Sequence, residues 1–597
     1  MAASKTEPAP LSAPGAGVAV GLLAIAVYLP TLRFGFVWDD PISVQRWLPA
    51  IPGMLDAFFP PPDIPQFPVD YYRPLQLLSY RLDNAIGGGA AWPFHLTVVL
   101  LHTLATVLIW RTGFRLLDSD AAASRAGIWA AALFAVHPIH SESVAWMAAR
   151  PDVMVTCAGL AALLAYWRTD WSERKRASIA AAFIFVGLLC KETAAALLVI
   201  VPLSTFIVPR TSSGPASAKS TFPSQVGWLP FVIALAAYLI LRAVGSYAAL
   251  PDAVLPSNPI AAVIGAAGTY LRLLVIPYPQ NAYVADLSSS GAALLASAAL
   301  VTAFVLLFAW ILKRRDAAVL FSLVWIVLTL LPSFGLILQP STAPLAERYL
   351  YLPSAGFCWI FGVIVARAHQ TYARSGGATA LTAVCALIVV GAGTLTVQRN
   401  WVWTDNYSLW SDTTAKNDVD GLPLRSLAAA VLEKGDSQTA ERLFRQALER
   451  RNTTRGKYII YNNLGTIALG RNDDVAAERY YRQAAEFEPA PALLYNLGLI
   501  RLRRGMDPAL DSAVRDAALV DAKALFEKAV ATSPHDAEIH LGLAQTAEAL
   551  GDRVTARLHF EKALQLGLAH PMETTVRQRL EALDNQPPST SPQPPTR

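Results

Sequence analysis

Residues 291–312 read GAALLASAALVTAFVLLFAWIL, 22 positions without a charged side chain, and Lys313-Arg314-Arg315 follow at once. About 20 consecutive apolar residues are what a helix needs to cross a bilayer core, and a basic cluster at one end marks a cytoplasmic loop. This stretch therefore predicts a span that ends inside. Working outward from it, comparable apolar runs lie near 14–33, 93–111, 127–147, 152–167, 178–190, 193–209, 226–244, 317–338, 351–367 and 378–397, giving about eleven spans in all. Composition agrees: of 597 residues, 54% are hydrophobic and 16% charged, and the mean hydropathy is +0.37, which no ordinary soluble domain would show.

The other basic groups, Arg111/Arg115, Arg168/Arg174/Lys175/Arg176, Arg210/Lys219 and Arg367/Arg374, fall in loops that alternate in step with 313–315. Residues 1–13 are then a cytoplasmic tail, and an odd number of spans puts the C-terminal part outside, in a periplasm or equivalent lumen. An Ala-rich composition points to a bacterial inner membrane. The run Leu11 to Leu32 lacks a small-residue cleavage site and reads as an uncleaved first span. A net charge of +5, spread in short clusters, argues against a nucleic-acid partner. Cys157, Cys190, Cys358 and Cys385 all sit in apolar runs and read as packing residues.

Two external loops are long, 34–92 and 246–290. The apolar patches of the first, Trp47 to Phe59, suggest helices lying in the interface. Irregular backbone at that depth is tolerated where it is buried or lines a wet cavity, so both loops are expected to cover a site.

Past residue 420 the apolar runs give way to a repeat. Ala522, Phe526 and Ala529 recur as Ala556, Phe560 and Ala563, 34 positions on, which is the tetratricopeptide period. Earlier units hold Ala477, Tyr481 and Ala484, and Ala440, Phe444 and Ala447, and another begins at Leu497-Gly498 with an insertion near 505–516. The expected fold is all-α: a transmembrane domain over 14–400, a linker over 401–419, a tetratricopeptide solenoid over 420–584 and a Pro/Ser/Thr-rich disordered tail over 585–597.

The ionisable residues cluster at span ends on the external side. Asp39 and Asp40 directly follow the first span and could supply a general base, or could simply be a solvated loop start or an N-cap. His137, His140 and Glu142, followed by Arg150 and Asp152, could bind a phosphate and a divalent ion, or could be anchored histidines beside an Arg–Asp pair. Lys191-Glu192 and Glu347-Arg348 each admit a self-neutralising pair. By the topology above, these residues and Arg73 all lie on one side of the membrane. A rim of cations and carboxylates there suits a lipid-borne, phosphate-linked substrate. His95 and His102, seven apart on one helix face, read as orienting residues. The sequence contains no Walker loop, dinucleotide fingerprint or His-Glu-x-x-His motif.

Taken in order, Phe36-Val37-Trp38-Asp39-Asp40, Tyr72-Arg73-Pro74-Leu75, Phe94-His95, Leu101-His102, His137-Pro138 through Asp152, Lys191-Glu192, Glu347-Arg348-Tyr349-Leu350-Tyr351-Leu352-Pro353 and Arg399-Asn400 through Trp403 resemble the transmembrane-and-tetratricopeptide O-mannosyltransferases and their prokaryotic relatives in the GT-C superfamily. The resemblance implies a polyprenyl- or dolichyl-phosphate-mannose donor, a Ser or Thr acceptor on a protein bound by the repeats, and the Asp39/Asp40 pair as catalytic centre. It further implies donor binding by Arg73, His137, His140, Arg150, Lys191, Arg348 and Tyr349, with His95, His102, Glu142, Asp152, Glu192 and Glu347 as orienting residues. Metal dependence stays open. The second external loop departs from the family, offering little beyond Asp286. Transfer to a lipid or polysaccharide, and a non-catalytic scaffold whose repeats dock envelope proteins, are the rival readings.

Overall fold

A computed structural model describes residues 13–51, 53–60, 71–117, 120–208, 225–245, 258–284, 291–337, 345–373, 377–488, 490–568 and 570–585. Asp286 and the terminal tail lie outside them. Among the described residues the chain is helix and turn, with two isolated backbone bridges and no strand. It divides into two compact units, Met1–Lys416 and Asn417–Arg597.

In the first unit every expected span has a helix. Seven described helices are long and apolar enough to cross a membrane, and Ala121–Val136, Glu192–Ile207 and Pro259–Val275 are shorter apolar ones. The last of these departs from expectation: 17 residues of the second external loop form a helix whose N-terminus is capped by the Asn258 side chain. Small residues let the central helices meet. A Cβ on Gly362 would stand 2.1 Å from the Ala126 carbonyl oxygen, and one on Gly113 2.9 Å from the Gly127 Cα. Helices 92–113, 120–136 and 354–372 therefore approach backbone to backbone, the usual basis of association where water offers no driving force. Gly291–Arg314, by contrast, leaves Leu295, Val305, Leu306 and Trp310 exposed, as a helix facing lipid does.

The first external loop folds onto this unit. Val44, Leu48 and Ile51 bury against Tyr80, Phe94 and Met147, while Met54 and Leu55 stay exposed, the pattern of a turn resting in an interface. Within the loop Trp38 has φ +58°, a left-handed conformation that a bulky side chain adopts at a cost of about 1–3 kcal/mol when its surroundings hold it there. Helix Asn406–Thr414 belongs to the first unit and is capped by Asp405, whose Oδ1 accepts from the Ser408 N–H at 2.7 Å.

The second unit is a succession of helix pairs: 421–433 with 437–448, 454–470 with 474–487, 491–505 with 512–532, and 537–549 with 553–566, followed by His570–Asn585. Ala440, Phe444, Ala447, Ala477, Tyr481, Ala484, Ala522, Phe526, Ala529, Ala556, Phe560 and Ala563 are all buried. Each aromatic needs a hollow to fill. A Cβ on Gly465 would collide with the Tyr481 ring at 2.5 Å, and one on Gly542 with Phe526 at the same distance. Asp436, Asp473, Asp511, Asp536 and Asp552 cap the helices that follow them, each satisfying backbone donors that would otherwise be orphaned. The insertion near 505–516 is absorbed by lengthening: the second helix of that pair runs 21 residues, against 14 in each neighbouring pair.

Candidate active site

The helices of the first unit bring four loops together around one cavity of about 220 Å³. Its wall holds Asp39, Tyr71 and Arg73 from the first loop, Trp146 from the turn after helix 120–136, Lys191 and Glu192 from the kink after Cys190, and Arg348 and Tyr349 from the turn before helix 354–372. Six of the residues singled out by sequence therefore line one space.

The charges in and around it are paired, but not with their sequence neighbours. Lys191 Nζ donates to both oxygens of Asp152 at 2.7 and 2.8 Å. Glu192 accepts two hydrogen bonds from Arg73 at 2.7 and 3.2 Å. Arg348 pairs with Glu142 through its guanidinium and also donates its backbone N–H to Glu142 Oε2 at 3.0 Å. Arg150 pairs with Asp83 at 2.5 Å and is fully buried. Glu347 accepts from the Asn281 N–H at 2.6 Å and the Gln280 amide at 2.9 Å, and burial pushes its carboxyl up to about 7 against the pull of Arg399. The adjacent-pair readings for 191–192, 347–348 and 150–152 are thus corrected. A neighbour i+1 points elsewhere, and a span end can reach the loop beside it. The cations also lie over rings: Arg73 over Tyr71 at 4.3 Å, Lys191 over Tyr349 at 5.1 Å and Arg348 over Trp146 at 5.2 Å. Such contacts favour a cation that is partly stripped of water.

The two aspartates have separate surroundings. Asp40 is fully buried; its Oδ2 accepts from the Val37 N–H and its Oδ1 from the Ala148 N–H, both at 3.2 Å. Burial, then the neighbouring Asp39, raises its pKa. Asp39 lines the cavity, and its Oδ1 is buried without a hydrogen-bond partner among the described residues. Burial raises its carboxyl to about 6, with the Arg348 charge holding it from going further. Of the pair, Asp39 lines the cavity and Asp40 does not.

Three of the four histidines are hydrogen-bonded through their rings, and both ring nitrogens of His95 are buried without a hydrogen-bond partner among the described residues. His137 bonds the Leu274 carbonyl at 3.1 Å, and His140 bonds the Phe134 carbonyl at 2.9 Å and Ser354 Oγ at 2.8 Å. His102 bonds Tyr351 Oη at 2.7 Å, and His95 is buried edge-on to Phe34. None lines the cavity, which corrects the reading of His137 and His140 as phosphate or ion ligands; they tie helix ends together. Among the described residues no group of three His, Cys, Asp or Glu side chains is disposed to hold a metal ion. Arg150 likewise acts behind the wall, donating to Ser79 Oγ and the Phe94 carbonyl.

Sequence reasoning did not single out Asp83, Tyr71, Trp146 or Asn406. They became visible only through their tertiary neighbours.

No family model matches the chain. Among curated proteins it is 35% identical to the protein O-mannosyl-transferase Tmtc2 of Drosophila melanogaster over 43% of this chain and 28% of that protein. It is 24% identical to human TMTC3 over 71% and 50%, and 26% identical to Drosophila Tmtc3 over 74% and 56%. The chain thus spans between about a quarter and just over half of these relatives' lengths. The last match is longer than the first unit and so draws on both units. Among solved structures, ArnT from Cupriavidus metallidurans bound to undecaprenyl phosphate superposes with a TM-score of 0.35 at 14% identity, covering 87% of this chain and 88% of that one. Yeast Tom70 gives 0.25 at 14%, covering 82% and 96%. Scores this low establish no shared fold. By sequence, the chain is similar over part of its length to several proteins named protein O-mannosyl-transferase.

Proposed function

We propose that the chain is a membrane glycosyltransferase that moves a sugar, mannose by the names of its relatives, from a polyprenyl-phosphate carrier to a Ser or Thr hydroxyl of a protein acceptor. The observation that carries this reading is the Asp39 carboxylate: cavity-facing, unpaired at Oδ1, and raised to about 6, where a base is half ionised just below neutrality. In the proposed step Asp39 takes the hydroxyl proton as the acceptor oxygen bonds to the anomeric carbon. The bond from that carbon to the phosphate oxygen breaks, its electron pair leaves with the lipid phosphate, and configuration inverts. Arg73 and Arg348, whose side chains keep 18% and 17% of their exposure, present donors to the departing phosphate. Lys191 lines the same cavity; burial lowers its pKa, and Asp152 opposes the fall. The repeats would hold the acceptor, and both site and repeats would face the external side of a membrane, the bacterial inner membrane by composition.

Purified protein incubated with mannosyl-phosphoryl-polyprenol and an extract of external-compartment proteins should add a hexose to protein Ser or Thr, read by mass spectrometry. Hexose gained by a lipid or polysaccharide instead would replace the acceptor class. No transfer from any lipid-phosphate sugar would leave a scaffold.

A further inference from the structure

We propose that the segment Trp403–Trp410 positions the Asp39 carboxylate by gripping its neighbour, Trp38. This inference rests on the transferase reading for its kinetic arm only. Trp38 donates its N–H to Asn406 Oδ1 at 2.8 Å. Its ring is stacked on Trp146 at 4.9 Å and 12°, Trp146 is stacked on Trp403 at 5.8 Å and 18°, and Trp410 meets Trp38 edge-on at 5.0 Å. Earlier in the loop, the Gly35 N–H bonds the Thr404 carbonyl at 3.0 Å. The linker thus holds the loop at two backbone points and encloses one ring between two indoles.

What is held is a conformation that the loop would not keep alone. Trp38 sits at φ +58°, a region that bulky residues leave when nothing holds them. Asp39 follows at φ −97°, ψ 1°, and its carbonyl accepts the Ser43 N–H at 3.2 Å, so the far side of Asp39 is fixed by its own turn. The near side depends on Trp38. Were Trp38 to relax to negative φ, the shared peptide would rotate and carry the Asp39 side chain off its line into the cavity. Neither Asn406 nor Trp410 lines that cavity, so both act through Trp38 and are positioning residues. Their grip is itself anchored: Trp403, Leu409 and Trp410 are buried, and Asp405 caps the helix that carries Asn406.

The test uses full-length protein with Asn406→Ala, Trp410→Ala and Trp410→Phe. With mannosyl-phosphoryl-polyprenol as donor, the two alanine variants should lose turnover by about a hundredfold, with donor KM within about twofold of wild type. Phenylalanine, which keeps the edge contact, should restore most of it. A second arm needs no turnover: carbodiimide labelling of Asp39 without substrate, read by mass spectrometry against pH. Wild type should be half-labelled near pH 6. Both alanine variants should shift downward by about one pH unit as the carboxylate reaches water. Unchanged labelling midpoints in both alanine variants would overturn the proposal, as would equal losses in Trp410→Phe and Trp410→Ala with a raised donor KM, which is what general loosening gives. Wild-type protein that labels as expected but transfers no sugar would sink the transferase reading, and the labelling arm would still decide the grip.

Discussion

Asp39→Asn removes one proton acceptor and almost nothing else. The carboxylate makes no hydrogen bond through Oδ1, so the isosteric amide strands no partner there. Fold and donor affinity should stay near wild type. Turnover should fall by about 10²–10⁴, the usual contribution of a positioned base. The wild-type pH profile supplies the complementary magnitude. Burial raises the carboxyl to about 6, so the active, ionised form is lost as pH falls through that value: about nine-tenths ionised at pH 7 and about one-tenth at pH 5. Turnover at saturating donor should therefore drop roughly tenfold between those two pH values in wild type, and the residual rate of Asp39→Asn should show no such step. Initial rates of labelled-sugar transfer to a purified acceptor, from pH 5 to 8, decide it. Wild-type turnover in Asp39→Asn, or a flat wild-type profile, would refute the assignment of the base.

Asp40→Asn should behave oppositely: its amide would face two backbone N–H donors, at Val37 and Ala148, so thermal stability should fall by about 1–3 kcal/mol while any protein that remains folded keeps the pH step. Arg348→Ala should misfold, because it strands the fully buried Glu142, a loss of about 3–5 kcal/mol; Arg348→Met with Glu142→Gln should recover thermal stability and still fail to bind polyprenyl phosphate. Arg150→Ala should lower the melting temperature without entering the donor-binding isotherm, since Arg150 pairs with Asp83 behind the wall. Truncation after Lys416 should leave a folded first unit, whereas truncation after Asn400 removes Trp403, Asn406 and Trp410 and should abolish turnover even on a free peptide acceptor.

The architecture was legible where a local pattern carries it. Twenty-two uncharged residues read as a membrane-crossing helix, and Ala-Phe-Ala at a 34-residue spacing reads as a tiling repeat. The helix Pro259–Val275, which carries Arg272 in its last turn, was read as part of an external loop. In the site, residue types were readable and partners were not. The charges of 191–192 and 347–348 were plain, but that Lys191 bonds Asp152, 39 positions away, and Arg348 bonds Glu142, 206 away, depends on which loops the folded helices set side by side. Which of Asp39 and Asp40 lines the cavity was unreadable for the same reason: both follow the left-handed Trp38, whose N–H bonds Asn406, 368 positions distant.

The exchanged ion pairs also bear on how the chain is made. Arg73 and Glu192 are 119 positions apart, and a membrane protein enters the bilayer in order, so each charge arrives long before or after its final partner. A lone charge at that depth is costly. Yet every late-paired charge of the 191–192 and 347–348 dipeptides, and Arg150 with Asp152, enters beside an opposite charge in its own segment. The adjacent opposite charge can neutralise each group before its tertiary partner is in place. Swapping the first dipeptide, Lys191→Glu together with Glu192→Lys, would keep the adjacent opposite charge and misdirect the final pairs, giving a chain that inserts fully and matures poorly.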